Sequence, residues 1–137
     1  MSNSITGSCL CGEVSYKIDP PFRGFTYCHC TRCRKVTGTA HAANLFVSEE
    51  QFQWLTGEDK VGRFEHPDAK YFATGFCTKC GSNLPWMIKV GGTIAIPAGT
   101  LDEDPHVKPE KSIYWQDRAC WFEDTNSIEK FAQTPQK

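Results

Sequence analysis

Seven of the chain's eight cysteines fall into three short groups: Cys9-Leu10-Cys11-Gly12, Cys28-His29-Cys30-Thr31-Arg32-Cys33 and Cys77-Thr78-Lys79-Cys80-Gly81. Only Cys120 stands apart. Thiols this close constrain the fold more than any hydrophobic pattern in the chain, because something must hold them together. Disulfides within Cys9/Cys11 or Cys28/Cys30 would close very small rings with poor torsions, and a reducing compartment would oppose them. Disulfides between groups are geometrically open but leave the tight grouping unexplained. A metal ion explains it: Zn–S bonds of about 2.3 Å in a tetrahedron set neighbouring sulfurs roughly 3.8 Å apart, within reach of ligands separated by one or two residues on a turn. Gly12 and Gly81, each directly after a cysteine, let such a turn take positive φ. Zinc is therefore the preferred reading.

The count then sets the number of ions. Four thiolates close a structural zinc site, whereas three leave an open position of the catalytic kind. A two-residue group cannot complete a site, so Cys9 and Cys11 most economically join Cys77 and Cys80 in a structural staple. Cys28, Cys30 and Cys33 are close enough to hold a second ion by themselves, with a corner left for water or a substrate sulfur. The expectation is two zinc ions per chain, one structural and one catalytic. Arg32, Arg34 and Lys35 surround the second group, where they could attract an anionic substrate or simply form a solvated basic turn.

Composition narrows the rest. With 137 residues, 39% of them hydrophobic, the chain has room for one domain, expected to span 1–137 with a core over about 5–124 and a C-terminal tail over 125–137. The formal charge is −1. Filling both zinc sites takes it to about −4, which makes nucleic acid an unlikely partner. No stretch has the apolar length of a membrane span, and the start lacks the pattern of a secretory signal. The expected location is cytoplasmic. Oligomeric state is not legible.

The periodicity is mostly that of strands. Val14, Tyr16 and Ile18 alternate with polar neighbours, and Pro20-Pro21 ends the run. Further strands are expected at Phe25–Cys28, Ala42–Val47, Lys60–Glu65, Lys70–Phe76, Pro85–Val90, Thr93–Pro97 and Ser112–Gln116. Ser48-Glu49-Glu50-Gln51 reads as a capping box opening one helical turn, Gly91-Gly92 as a hairpin turn, and Asn126–Phe131 as a short helix capped with the help of Glu129. The fold class is mainly β, a single compact domain of antiparallel sheets with one or two short helical turns.

With these motifs assembled, the sequence resembles the glutathione-dependent formaldehyde-activating enzyme family, also called the GFA or centromere-protein-V-like family. The likeness rests on residues 7–14, on 28–35 with Thr37-Gly38 behind them, on 76–82, on Ala98-Gly99-Thr100-Leu101-Asp102 and on Trp121-Phe122. It implies folded-over antiparallel sheets, a structural zinc on Cys9, Cys11, Cys77 and Cys80, and a catalytic zinc on Cys28, Cys30 and Cys33. It also implies a carbon-sulfur lyase of the S-(hydroxymethyl)glutathione synthase type, in which a small thiol such as glutathione is activated for addition to formaldehyde or another small aldehyde. A substrate thiol entering the open position would lose its proton more readily and become the nucleophile. The alternatives are a non-catalytic zinc module that binds a partner and a thiol or metal sensor.

Some single residues admit two readings. His29 lies between two ligands, where alternation along extended backbone favours a supporting role over metal binding. His41 is the better candidate for a fourth ligand or a proton-transfer group. Cys120 is read as a small apolar side chain, Trp86, Trp115 and Trp121 as core residues rather than cleft walls, and Asp102-Glu103-Asp104 as a solvated turn.

Overall fold

The computed structural model describes residues 3–123 and 125–135. Strand β1 (Ile5–Ser8) pairs antiparallel with β2 (Ser15–Ile18), which pairs in turn with β5 (Phe52–Thr56), giving a three-stranded sheet. A second sheet of five strands runs in the order β11 (Lys111–Ile113), β3 (Gly24–Cys28), β4 (Ala42–Ser48), β10 (Thr93–Pro97), β9 (Trp86–Met87). The third comprises β6 (Val61–Glu65), β7 (Ala73–Cys77) and β8 (Asn83–Leu84). Pairing is antiparallel except between β11 and β3, which run parallel with Ile113 opposite Cys28. One helix, α1 (Thr31–Thr37), follows β3. No helix among the described residues is long and apolar enough to cross a membrane.

Alternation builds the core. Tyr16 and Ile18 of β2 are fully buried, as are Leu45 and Val47 of β4 and Ile96 of β10, and together with Ile5, Phe25 and Ile94 they fill the space between the first two sheets. The other face of the five-stranded sheet carries Thr26 and Cys28 of β3, Asn44 and Phe46 of β4, and Trp86 of β9, because successive side chains point to opposite faces. A smaller cluster of Cys9, Val14, Cys77 and Leu84, with Trp54 and Val61 against it, ties the first sheet to the third.

The capping box forms as expected: the Gln51 side chain accepts from the Ser48 backbone N–H at 2.8 Å, and a single 3-10 turn spans Glu49–Gln51. Other expectations need correction. The strand read over Lys70–Phe76 begins at Ala73 and runs to Cys77, which frees 70–72 to line a cleft. The strand read over Ser112–Gln116 stops at Ile113, because Tyr114 turns into left-handed backbone (φ 54°) and a 3-10 turn follows over Trp115–Asp117. Of Pro85–Val90 only Trp86–Met87 pair. In place of a helix at Asn126–Phe131 there is one 3-10 turn, Thr125–Ser127, and the exposed chain from 126 to 135 finds no apolar face to support more. Asp102, Glu103 and Asp104 are exposed, with Asp102 and Glu103 on a bend, as a solvated turn expects, and two of them also clamp β1: both Asp102 carboxylate oxygens accept from Ser8 Oγ at 3.0 Å, and Glu103 Oε1 accepts from the Thr6 N–H at 2.7 Å.

Candidate metal centres and cleft

Each half of the first candidate centre is a turn closed by a glycine, three residues wide at Cys9 and four at Cys77. After β1, the Gly12 N–H donates to Cys9 O at 3.0 Å, and after β7 the Gly81 N–H donates to Cys77 O at 2.8 Å. Both glycines take positive φ, 83° and 79°, as their place after a cysteine requires. The turns aim Cys9, Cys11, Cys77 and Cys80 at one point: their sulfurs all lie within 4.8 Å of one another, with Cys9–Cys11 at 3.5 Å and Cys11–Cys77 at 3.9 Å. Those spacings bracket the edge of a zinc–thiolate tetrahedron, about 3.8 Å. Donors point at the sulfurs, as sites for anionic ligands need. The Val14 N–H reaches Cys9 Sγ at 3.3 Å, the Cys80 N–H reaches Cys77 Sγ at 3.5 Å, and Ser82 Oγ lies 3.2 Å from Cys80 Sγ. The Ser82 hydroxyl, with backbone N–H groups behind it, holds Cys80 down at about 5. Outside the ring, Glu13 is ion-paired with Lys79, which lowers the Glu13 carboxyl below its ordinary value and keeps a cation beside the sulfurs.

The second candidate centre is built by a helix start that the sequence reading did not assign. Cys28 ends β3, and Cys30 then serves as the N-cap of α1, its Sγ accepting from the Cys33 N–H at 3.3 Å. Cys33 in the first turn brings the third sulfur round. The helix ends at Gly38 in left-handed backbone, whose N–H donates to Arg34 O at 2.8 Å. The three sulfurs lie within 4.8 Å of one another. A hydrogen bond from Cys33 holds the Cys28 thiol down at about 6, while the same bond and burial push Cys33 up. Among the described residues no histidine, aspartate or glutamate joins either sulfur group. Both groups could hold metal ions, and an all-sulfur donor set at these spacings is compatible with zinc.

The surroundings of the two centres differ. Cys28, Cys30 and Cys33 border a cleft of about 960 Å³ on the outer face of the five-stranded sheet, whose lining includes none of the other four clustered cysteines. Its floor holds Thr26 and Asn44, which are cross-strand partners. Asn44 is only 8% exposed, and Thr26 Oγ1 is buried with no hydrogen-bond partner. Phe72 and Ile113 pack directly on the Cys28–Cys33 cluster, and Arg32 and Lys70 both line the cleft. Of the basic residues singled out in the sequence, only Arg32 is placed there. Arg34 turns away to donate to Asp117 O at 3.1 Å, and Lys35 lines a small surface pocket beside Trp121. Lys70 went unrecognised because it sits in a run that reads as a strand.

His41 does not approach the three sulfurs. Its ring stacks on Tyr27 at 4.1 Å and meets His29 at 4.9 Å, on the face of β3 opposite the cleft. His29 is fully buried, with neither ring nitrogen hydrogen-bonded, between His41, Trp115 and Phe122; burial holds it in the neutral form. It is a packing residue behind the Cys28–Cys33 turn. Cys120 is exposed rather than buried. Trp86 lines the cleft, Trp115 is 44% exposed and Trp121 62% exposed, so none of the three is a core residue.

A family model described as glutathione-dependent formaldehyde-activating enzyme matches residues 4–117. Among solved structures, the crystal structure of a Rhodobacter sphaeroides protein is similar in fold, with a TM-score of 0.63 at 17% sequence identity, covering 79% of this chain and 98% of that one. No curated protein matches the sequence.

Proposed function

Since the chain belongs to the glutathione-dependent formaldehyde-activating enzyme family, we propose that it is a zinc-dependent carbon-sulfur lyase that joins a glutathione-type thiol to an aldehyde, working in the cytoplasm. Cys9, Cys11, Cys77 and Cys80 hold a structural zinc; Cys28, Cys30 and Cys33 hold the catalytic one. The observation that carries this reading is the contrast between the two sulfur groups: four enclose a point, whereas three border the cleft. An ion held by Cys28, Cys30 and Cys33 would lower the pKa of a thiol entering from the cleft and so favour its thiolate form.

The chain's own residues do the rest. Arg32 and Lys70 receive the carboxylates of an anionic thiol by charge-assisted hydrogen bonds. Phe72 and Ile113, packed on the sulfur cluster, keep water from the reacting sulfur. Thr26 and Asn44 on the cleft floor have polar groups to offer the aldehyde oxygen as it gains charge. His41 has no part in proton transfer, being on the other face of the strand.

The test is zinc analysis with exchange NMR on mixtures of glutathione and formaldehyde. Two zinc ions per chain and faster interconversion of free thiol and hemithioacetal are expected. Cys30→Ala should retain one zinc and return exchange to the spontaneous rate. Arg32→Gln and Lys70→Gln, each removing an exposed charge contact of up to about 1 kcal/mol, should each weaken glutathione binding about fivefold or less. A doubly zinc-loaded protein that leaves the exchange rate untouched with formaldehyde and with larger aldehydes alike would refute the assignment.

A further inference from the structure

The cleft offers more apolar wall than a one-carbon aldehyde can cover. The wall starts at the reacting centre, where Phe72 and Ile113 touch the Cys28–Cys33 cluster. From Phe72 it continues to Trp86, the rings 5.5 Å apart and tilted at 51°, and on to Phe46 and Ile88. Phe46 and Trp86 belong to one continuous surface because both sit opposite Ala95 on neighbouring strands. The cations within the cleft, Arg32 and Lys70, match the acid groups of the thiol and leave this wall unengaged. At about 960 Å³ the cleft also reaches the top of the range, about 300–1,000 Å³, that drug-sized ligands fill.

Resting on the function proposed above, we infer that the carbonyl partner is an aldehyde bearing an aromatic or long aliphatic group, which lies along Phe72, Trp86 and Ile88. The thiol's carboxylates take the Arg32 and Lys70 positions, so the two reactants are recognised by opposite chemistries of one cleft. In the step itself the thiolate sulfur forms a bond to the carbonyl carbon and the C=O π pair moves onto oxygen. That oxygen takes up a proton equivalent to the one lost by the thiol, giving a hemithioacetal with nothing oxidised or reduced. Burying the substituent lowers the energy of the adduct on the protein relative to free aldehyde, and the gain grows with apolar area.

The experiment is exchange NMR with the zinc-loaded full chain, fixed glutathione, and a series of straight-chain aldehydes from formaldehyde to heptanal, with phenylacetaldehyde added. Catalytic efficiency relative to the spontaneous rate is expected to rise with chain length, by up to about fourfold for each methylene buried. Trp86→Ala should flatten that rise. Ile88→Ala, a smaller truncation, serves the same purpose should the tryptophan variant fail to fold, and the wild-type series is decisive without either. Efficiency that is flat or falls with chain length, while formaldehyde is still accelerated, overturns the inference and leaves the proposed function standing. No acceleration with any aldehyde, two zinc ions being bound, overturns both.

Discussion

At the scale of single residues, Tyr16 shows how a side chain legible only as "inward" acquires a measurable role. Its ring is fully buried between the first two sheets, stacked on Phe52 at 5.5 Å, and its hydroxyl lies 2.6 Å from Thr100 Oγ1. Burial pushes its phenol well above the ordinary value of 10. Between the unfolded and folded values the unfolded chain has given up a proton that the folded chain keeps. Stability from this group is therefore complete below about pH 10 and is lost as the pH rises above it. Tyr16→Phe should lower stability by about 1 kcal/mol at neutral pH through the lost hydrogen bond, and should remove this part of the alkaline fall. Denaturant melts between pH 8 and 11, with tyrosinate absorbance followed alongside, check both; if Tyr16 ionises in the native state before unfolding, the argument fails. The two cysteine groups were legible because metal-ligand chemistry restricts both residue type and spacing, whereas His41 was misjudged because nearness in sequence carries no information about which face of a strand a side chain takes. Lys70 and Asn44 carry no local signature at all: only the folding of distant strands puts them beside Cys28.

Elements were legible where a pattern repeats and illegible where it is too short to repeat. The alternation of β2 and the Ser48–Gln51 capping box stood out in the sequence. By contrast β1 has a single large apolar residue, Ile5, and α1 is a seven-residue helix capped by a cysteine, outside the usual set of cap residues. What qualifies β1 as a strand is a glycine. Gly7 lies opposite Tyr16, and a Cβ there would fall 2.3 Å from the Tyr16 ring, so the missing side chain makes the bed on which the ring rests. Gly7→Ala must push the ring or the strand aside, and the expected loss is about 1–3 kcal/mol. Because β1 delivers Cys9 to the four-sulfur centre, the same variant should also speed zinc loss from that centre and not from the other. Thermal melts and zinc release to a chromogenic chelator, compared with wild type, test the two halves; unchanged stability would mean that the ring accommodates a methyl group and that β1 is held by the Asp102 and Glu103 clamp alone.

For the molecule as a whole, the two sulfur groups differ in what they join. Cys28, Cys30 and Cys33 belong to one strand-to-helix junction, already shaped by the Cys30 cap and the β3–β4 pairing. Cys9 and Cys11 follow the first sheet and Cys77 and Cys80 lie at the end of β7 and just beyond it in the third, where the two sheets also share the small cluster around Val14 and Leu84, the Glu13–Lys79 ion pair and a hydrogen bond from the Leu10 N–H to Ser82 Oγ. A structural zinc contributes about 10–16 kcal/mol of binding free energy at neutral pH, as much as the whole net stability of a typical domain, about 5–15 kcal/mol. Ordered removal by chelators of increasing strength should therefore pass through a one-zinc species. The first ion lost comes from the cleft, with secondary structure retained and the melting temperature little changed. Loss of the second should lower the melting temperature far more than loss of the first, since it removes the staple between the first and third sheets. Circular dichroism and zinc content measured on the same samples, in wild type and in Cys30→Ala, decide the matter. If the variant lacking the cleft ion melts like the metal-free protein, the staple lies at the cleft and the division of labour between the two centres is the reverse of the one argued here.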